Sequence, residues 1–186
     1  MAVKTFTTGE VLTAADTNTY LANSGLVYVS TTDFNATSVN IESCFTSAAR
    51  NYRAMIQYKS NGGPISTYIR FLVGSTVQTD NIYSLYWGAA TGGAWAGSDR
   101  SDQYGFFPAG YATYPTSFNV DFFSPQATDY TAYQINGVSG LSATSAALAV
   151  VGGRNSVTTA INGFQITTAS GTALTGKVIL YAYRNA

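Results

Sequence analysis

Tyr52-Arg53-Ala54-Met55-Ile56-Gln57-Tyr58-Lys59, followed at once by Ser60-Asn61-Gly62-Gly63-Pro64, is the stretch that decides how this chain folds. Tyr52, Ala54, Ile56 and Tyr58 recur at every second position, and Arg53, Met55, Gln57 and Lys59 fill the places between. That is the period of a β-strand with one buried face. The five residues after it are reversal chemistry, because Asn-Gly and Gly-Gly tolerate the positive φ of a tight turn and proline cannot extend a ladder. An antiparallel hairpin is expected here, its second arm lying over residues 67–73.

From residue 26 onward the chain keeps this vocabulary of β-branched and aromatic residues separated by Gly, Pro, Asn, Asp and Ser. Further strands are expected at 26–30, 39–45, 82–87, 117–123, 130–135, 146–151, 164–168 and 177–184. In the last, Val178, Leu180 and Ala182 alternate with Lys177, Ile179, Tyr181 and Tyr183, so both faces are apolar enough for a central strand. Many short strands without amphipathic helices between them give an all-β fold, an antiparallel jelly-roll-like β-sandwich, over residues 26–186. Residues 1–25 read differently. Thr13-Ala14-Ala15-Asp16 is a capping box, and it opens a short helix over 14–22 that Asn23-Ser24-Gly25 ends. A helix of that length does not persist alone, so Tyr20 and Leu21 are expected to dock on another subunit or another protein.

Composition narrows the function. The 186 residues suit one domain with a short appendage. Charged residues are only 10% of the chain and cancel to zero, which argues against nucleic acid and anionic membranes as partners. Fourteen tyrosines and ten phenylalanines against so few charges suit subunit contacts, so an oligomer is expected. The one cysteine, Cys44, has no intramolecular partner and reads as a buried, inert residue of the strand 39–45. The first ten residues lack the apolar core of a secretory signal, and no apolar run reaches the roughly 20 residues of a membrane span.

Catalytic chemistry finds few candidates. The chain has no histidine, which removes the usual neutral-pH base and the Ser-His-Asp and Cys-His arrangements. Neither Gly92-Gly93 nor Gly152-Gly153 is followed by the Lys-Ser or helix of a phosphate-binding loop. Glycoside hydrolysis needs only two carboxylates, and Asp99, Asp102 and Asp121 are the residues to weigh. Asp99, Arg100 and Asp102 read as a solvated turn with local ion pairing. The expectation is no enzyme, no metal and no cofactor. Residues 88–114 are glycine-rich yet hold Trp95, Tyr104, Phe106, Phe107 and Tyr111. They read either as an Ω-loop closing one end of the sandwich or as a contact surface for a protein or glycan.

The N-terminus carries a more specific pattern. Phe6-Thr7-Thr8-Gly9-Glu10-Val11-Leu12-Thr13-Ala14-Ala15-Asp16-Thr17-Asn18-Thr19-Tyr20-Leu21 resembles the F-x-x-G-E-x-L-T-A-A-D-x-N-x-Y-L opening of virion proteins of tailed bacteriophages, especially small tail, fibre and other appendage proteins. Physically it is an extended segment, a turn at Gly9 and a capped helix. Ile161 to Ile166, with Ser170-Gly171-Thr172, Thr175-Gly176-Lys177 and Leu180-Tyr181, is similar to the closing strands of phage appendage heads, Ala182 standing where those have glycine. The same residues also read as an ordinary hairpin across a Ser-Gly turn.

The resemblance implies a non-enzymatic virion structural protein, a homotrimer whose arm (Phe6, Gly9, Glu10, Leu12, Asn18, Tyr20 and Leu21) docks on another phage protein. Two positions stay open: a tail-associated knob displaying loops to a host-surface glycan or protein, and a decoration protein fastened to the capsid. A cellular lectin-like module is the third, distant reading. No collagen, heptad or β-helix period is present to build a long shaft.

Overall fold

The computed structural model describes residues 7–11, 13, 25–79, 82–90, 96–102, 105–142 and 145–183. Among them are thirteen strands and no helix: β1 (Leu26–Ala36), β2 (Ser38–Ile41), β3 (Asn51–Ser60), β4 (Ile65–Val73), β5 (Thr76–Val77), β6 (Ile82–Ala90), β7 (Ala96–Asp102), β8 (Gly105–Gly110), β9 (Thr116–Phe123), β10 (Thr131–Ser142), β11 (Ser145–Asn155), β12 (Gly163–Thr168) and β13 (Leu174–Tyr183). Every pairing is antiparallel. One sheet has eight strands in the order β1-β13-β3-β9-β10-β11-β6-β7. The other has five, β2-β12-β4-β5 with β8 also paired to β4.

The two sheets pack as a sandwich around one core. Tyr52, Phe122 and Tyr133 come from the large sheet and Phe71 and Phe164 from the small one, all 0–2% exposed. Phe45 enters from the loop after β2, its ring centroid 4.9 Å from that of Phe122, and Phe122 lies 5.0 Å from Phe164. Such tilted ring pairs add to the burial of area. The Phe45 loop is held at both ends of its reach: the Cys44 and Phe45 N–H groups donate to the Asn162 carbonyl at 2.9 and 3.1 Å, and the Tyr52 hydroxyl donates to the Thr46 carbonyl at 2.7 Å.

All ten expected strands have a counterpart, most with longer bounds although β2 stops at Ile41 instead of running to residue 45, but their partners differ from the reading of adjacent segments. β3 and β4 are not a hairpin. β13 and β9 occupy the two edges of β3, whereas β4 pairs with β12, β8 and β5. The turn carries the chain from one sheet to the other, so the two strands face each other across the core, and the Tyr58 hydroxyl meets the Thr67 hydroxyl at 2.6 Å. Neither Gly62 nor Gly63 takes a positive φ. The turn's donors go outward instead, Ser60 N–H to the Tyr111 carbonyl at 3.0 Å and Asn61 N–H to the Ala173 carbonyl at 2.9 Å. The Ser170-Gly171 turn, with Gly171 at φ +73°, likewise joins β12 of one sheet to β13 of the other.

Residues 88–114 are corrected as well. Most of the described residues among them are strand: β6 runs on to Ala90, and β7 and β8 follow. Backbone pairing tolerates this composition because β7 is an edge strand, bonded among the described residues only to β6, and charged residues on an edge discourage further pairing. Asp99, Arg100 and Asp102 therefore lie in that edge strand rather than in a turn. Cys44 is buried as expected, 4% exposed, but in the loop after β2 and not in a strand. The helix expected over 14–22 lies outside the described residues.

Candidate interaction surface

The outward face of the eight-stranded sheet is built from described side chains over most of six adjacent strands. The register of six adjacent strands sets its residues in rows. Asp33, Lys177, Gln57, Ser117, Val138 and Leu148 form one; Thr31, Ile179, Met55, Asn119, Asn136 and Val150 form the next. A third holds Tyr28, Tyr181, Arg53, Asp121, Gln134 and Gly152. The alternation read from residues 52–59 placed Arg53, Met55 and Gln57 on the face away from the core, and there they stand.

Two ion pairs stand on this face, which also carries exposed Lys59 of β3 and Arg154 of β11. The Arg53 guanidinium grips Asp121 with two N–H donors at 2.7 Å each, the Tyr183 hydroxyl donates to the same carboxylate at 2.7 Å, and the Tyr183 ring lies 5.5 Å from the guanidinium carbon. Partial burial on its own would raise the Asp121 carboxyl, but hydrogen bonds from Arg53 and Tyr183 and the Arg53 charge outweigh it and hold the group below the ordinary carboxylate range. Burial and the bond to Asp121 push the Tyr183 phenol up. Asp121, weighed above as a hydrolytic carboxylate, is thus committed to an arginine, not paired with a second acid. Lys177 and Asp33 form a second, solvent-exposed pair at 3.3 Å.

Between these pairs lies an open groove of about 430 Å³ lined by Met55, Gln57, Ser117, Asn119, Asn136, Lys177 and Ile179. It exists because Ser117, Asn119 and Asn136 are short beside Met55 and Ile179. Its margins are apolar and wet: Met55 is 46% exposed, Val138 45% and Leu148 42%. At the sheet's edge β1 presents Leu26, Val27, Tyr28 and Val29, four consecutive apolar residues that are all exposed. A β-bulge between Tyr28 and Ser30 interrupts the pairing with β13 there.

Of the residues expected to form the arm, Gly9 and Glu10 lie among the described residues. They belong to a turn in which the Glu10 N–H donates to the Thr7 carbonyl at 3.0 Å, the Glu10 carboxylate accepts from the Thr7 N–H at 3.1 Å, and Gly9 takes φ +91°. Phe6, Leu12, Asn18, Tyr20 and Leu21 lie outside them. In the aromatic set, Phe106 and Phe107 fall in β8 opposite Tyr68 and Thr67, and Tyr111 follows that strand, its carbonyl anchoring the turn after β3. Trp95 and Tyr104 lie outside the described residues. The outward residues Asn119, Asn136, Val138 and Leu148 were not singled out from sequence. Apolar residues in the same alternating set as polar ones, as with Val138 beside Asn136, were the available signal.

Among the described residues no group of three or more His, Cys, Asp or Glu is placed to hold a metal ion. Cys44 is a poor nucleophile in this setting: burial pushes its thiol up to about 12, and its Sγ lies 3.3 Å from the Ile41 carbonyl. Comparison of the chain with protein-family models, with curated proteins and with solved structures finds no match.

Proposed function

We propose that this chain is a non-enzymatic structural protein of a tailed-bacteriophage virion, a homotrimeric, tail-associated knob that docks through residues 1–25 and contacts the host surface with its head. The observation that carries the reading is the Phe6 to Leu21 pattern, whose turn at Gly9 fits the geometry found at Thr7 to Glu10. The finer fold we assign to the head is a jelly roll. Supporting it are the orders β1-β13-β3-β9 in one sheet and β2-β12-β4-β5 in the other, with the chain crossing between sheets after β1, β2, β3, β5, β7, β8, β11 and β12. The strands β10, β11, β6 and β7 then extend one sheet of that unit. Tyr111 and the β8 residues Phe106 and Phe107, with Trp95 and Tyr104, are the head residues we assign to host contact.

The test is to label the protein on intact particles and image them at low resolution, together with particles made from a gene lacking residues 1–24. Density at one vertex that disappears with the deletion is the expected result. Labelling over the whole capsid would move the protein to the decoration role, and no labelling of particles at all would overturn the reading.

A further inference from the structure

We infer that Asn61 is a modification site: its side-chain amide condenses with the Gly62 nitrogen and is replaced, through a succinimide, by aspartate or isoaspartate, while the fold holds back the same reaction at two other Asn-Gly pairs. This goes beyond the virion reading and does not depend on it.

Asparagine followed by glycine offers this reaction the least steric resistance, because the residue that supplies the attacking nitrogen has no Cβ. Such pairs stand at 61–62, 136–137 and 162–163. Water is the only co-reactant. The Gly62 nitrogen bonds to the Asn61 Cγ atom, the Cγ–Nδ2 bond breaks, and Nδ2 leaves as ammonia with the proton that Gly62 gives up. Water then opens the ring at either carbonyl, its hydroxyl going to the carbon and its proton to the nitrogen; nothing is oxidised or reduced.

Exposure does not separate the three, since Asn61 and Asn136 are both exposed. The backbone does. Asn136 lies in the middle of β10 with β9 on one side and β11 on the other, so the Gly137 N–H is drawn into the ladder while the Asn136 side chain stands perpendicular to the sheet. A Cβ on Gly137 would overlap Phe118, which leaves no room there for a ring. Asn162 is tied at both ends: its N–H donates to the Leu72 carbonyl at 3.0 Å, its carbonyl accepts from the Cys44 and Phe45 N–H groups at 2.9 and 3.1 Å, and a Cβ on Gly163 would overlap the Ile41 carbonyl. Gly62 sits in the turn between β3 and β4. Its N–H donates to the Ser60 hydroxyl at 3.1 Å instead of joining a ladder, and a Cβ there would meet the Thr172 methyl, 3.1 Å away, and no backbone.

The Asn61 side chain is held, but lightly. Its Nδ2 donates to the Asn35 Oδ1 atom at 2.8 Å and its Oδ1 accepts from the Thr175 hydroxyl at 2.8 Å, both in exposed settings. Exposed bonds of this kind exchange with water at little net cost, whereas freeing Asn136 or Asn162 means opening the sheet or the loop that carries Phe45 into the core. The product sets a carboxylate on the corner where β1, β3 and β13 meet, beside Thr175 and its register partner Lys59. In the isoaspartate form it also lengthens the backbone of the turn.

The experiment is to hold the full-length chain folded in mildly alkaline buffer, and in the same buffer with urea, and to follow each pair by peptide mapping, isoaspartate assay and ion exchange for the added negative charge. In the folded chain we expect conversion at 61 at least about tenfold faster than at 136 or 162, the ratio given by a difference of about 1.4 kcal/mol in opening free energy. In urea all three should convert, and Asn61 should lose most of its lead. Gly62→Ala should slow conversion at 61 in both states, circular dichroism checking that the sheet is kept; should the variant lose its sheet, the urea sample still reads the effect of the added methyl group. Conversion led by 136 or 162 would overturn the inference. Equal rates at all three in the folded chain would do the same, because the reaction would then run through global unfolding. A folded chain in which Asn61 stays intact would show that Asn35 and Thr175 hold it fast, and a rate that Gly62→Ala leaves unchanged would exclude attack by the Gly62 nitrogen; either result sinks the assignment.

Discussion

Two neighbouring glycines in β11 should respond oppositely to the same added methyl group. Gly152 faces outward, and a Cβ built on it meets nothing within 4 Å. Gly153 faces the core, where a Cβ would overlap the Tyr133 ring and lie 2.6 Å from its Cε1 atom. Ordinary carbon contact begins near 3.5 Å, so the ring must retreat by about 1 Å. It has nowhere to go. Tyr133 is 2% exposed, its ring centroid is 5.6 Å from that of Phe71, and a Cβ on Gly105 would overlap it from the other side. Overpacking of this kind costs about 1–3 kcal/mol. For a chain of this length that lowers Tm by about 2–12 °C, at roughly 2–4 °C per kcal/mol.

Gly152→Ala removes a glycine from a strand without new contact and should hold or raise Tm, by an amount on the order of 0.5 kcal/mol. The assay is thermal and urea unfolding followed by circular dichroism on Gly152→Ala, Gly153→Ala, Tyr133→Ala and the Gly153→Ala/Tyr133→Ala double variant. With the ring removed, the cost of Gly153→Ala should vanish, giving a coupling of about 1–3 kcal/mol. Equal effects at 152 and 153, or a cost at 153 that persists without Tyr133, would refute the placement of the ring between two backbones.

Two further outcomes test other parts of the molecule. The folded state holds the Asp121 carboxyl below its ordinary range, so its contribution to stability is complete at neutral pH and is lost as pH falls through the folded-state value; Tm measured from pH 7 downward should therefore decline more steeply in acid for the wild type than for Asp121→Asn, and parallel acid limbs would count against the Arg53–Asp121–Tyr183 cluster. Cys44, buried with its thiol pushed up to about 12, should ignore a thiol reagent in the native protein at pH 8 and react fully once urea unfolds the chain; rapid native labelling would contradict its burial.

The sequence by itself determined the class of structure and, for residues 52–59, the inside and outside of the strand. Alternation in residues 52–59 put Tyr52, Ala54, Ile56 and Tyr58 in the core because side-chain direction follows from a local period of two; in 177–184 the apolar content of both faces announced a central strand but not that the side of Lys177, Ile179, Tyr181 and Tyr183 stays partly open. It also bounded the chemistry, since a chain without histidine offers few catalytic groups, and it carried the turn at Gly9. Only the tertiary structure decided which strands are partners. Hydrogen-bonding edges look alike in every strand, so nothing local distinguishes a turn that closes a hairpin from one, such as Ser60 to Pro64, that crosses between sheets. The strands β7 and β8 escaped notice for a related reason: an edge strand is held by its neighbour's backbone, which polar and glycine residues permit but do not announce. The outward face is the largest consequence. Arg53 meets Asp121, and both meet Tyr183, only because β3 lies between β9 and β13, and the groove of Met55, Asn119 and Asn136 exists only because β10 is the next strand along.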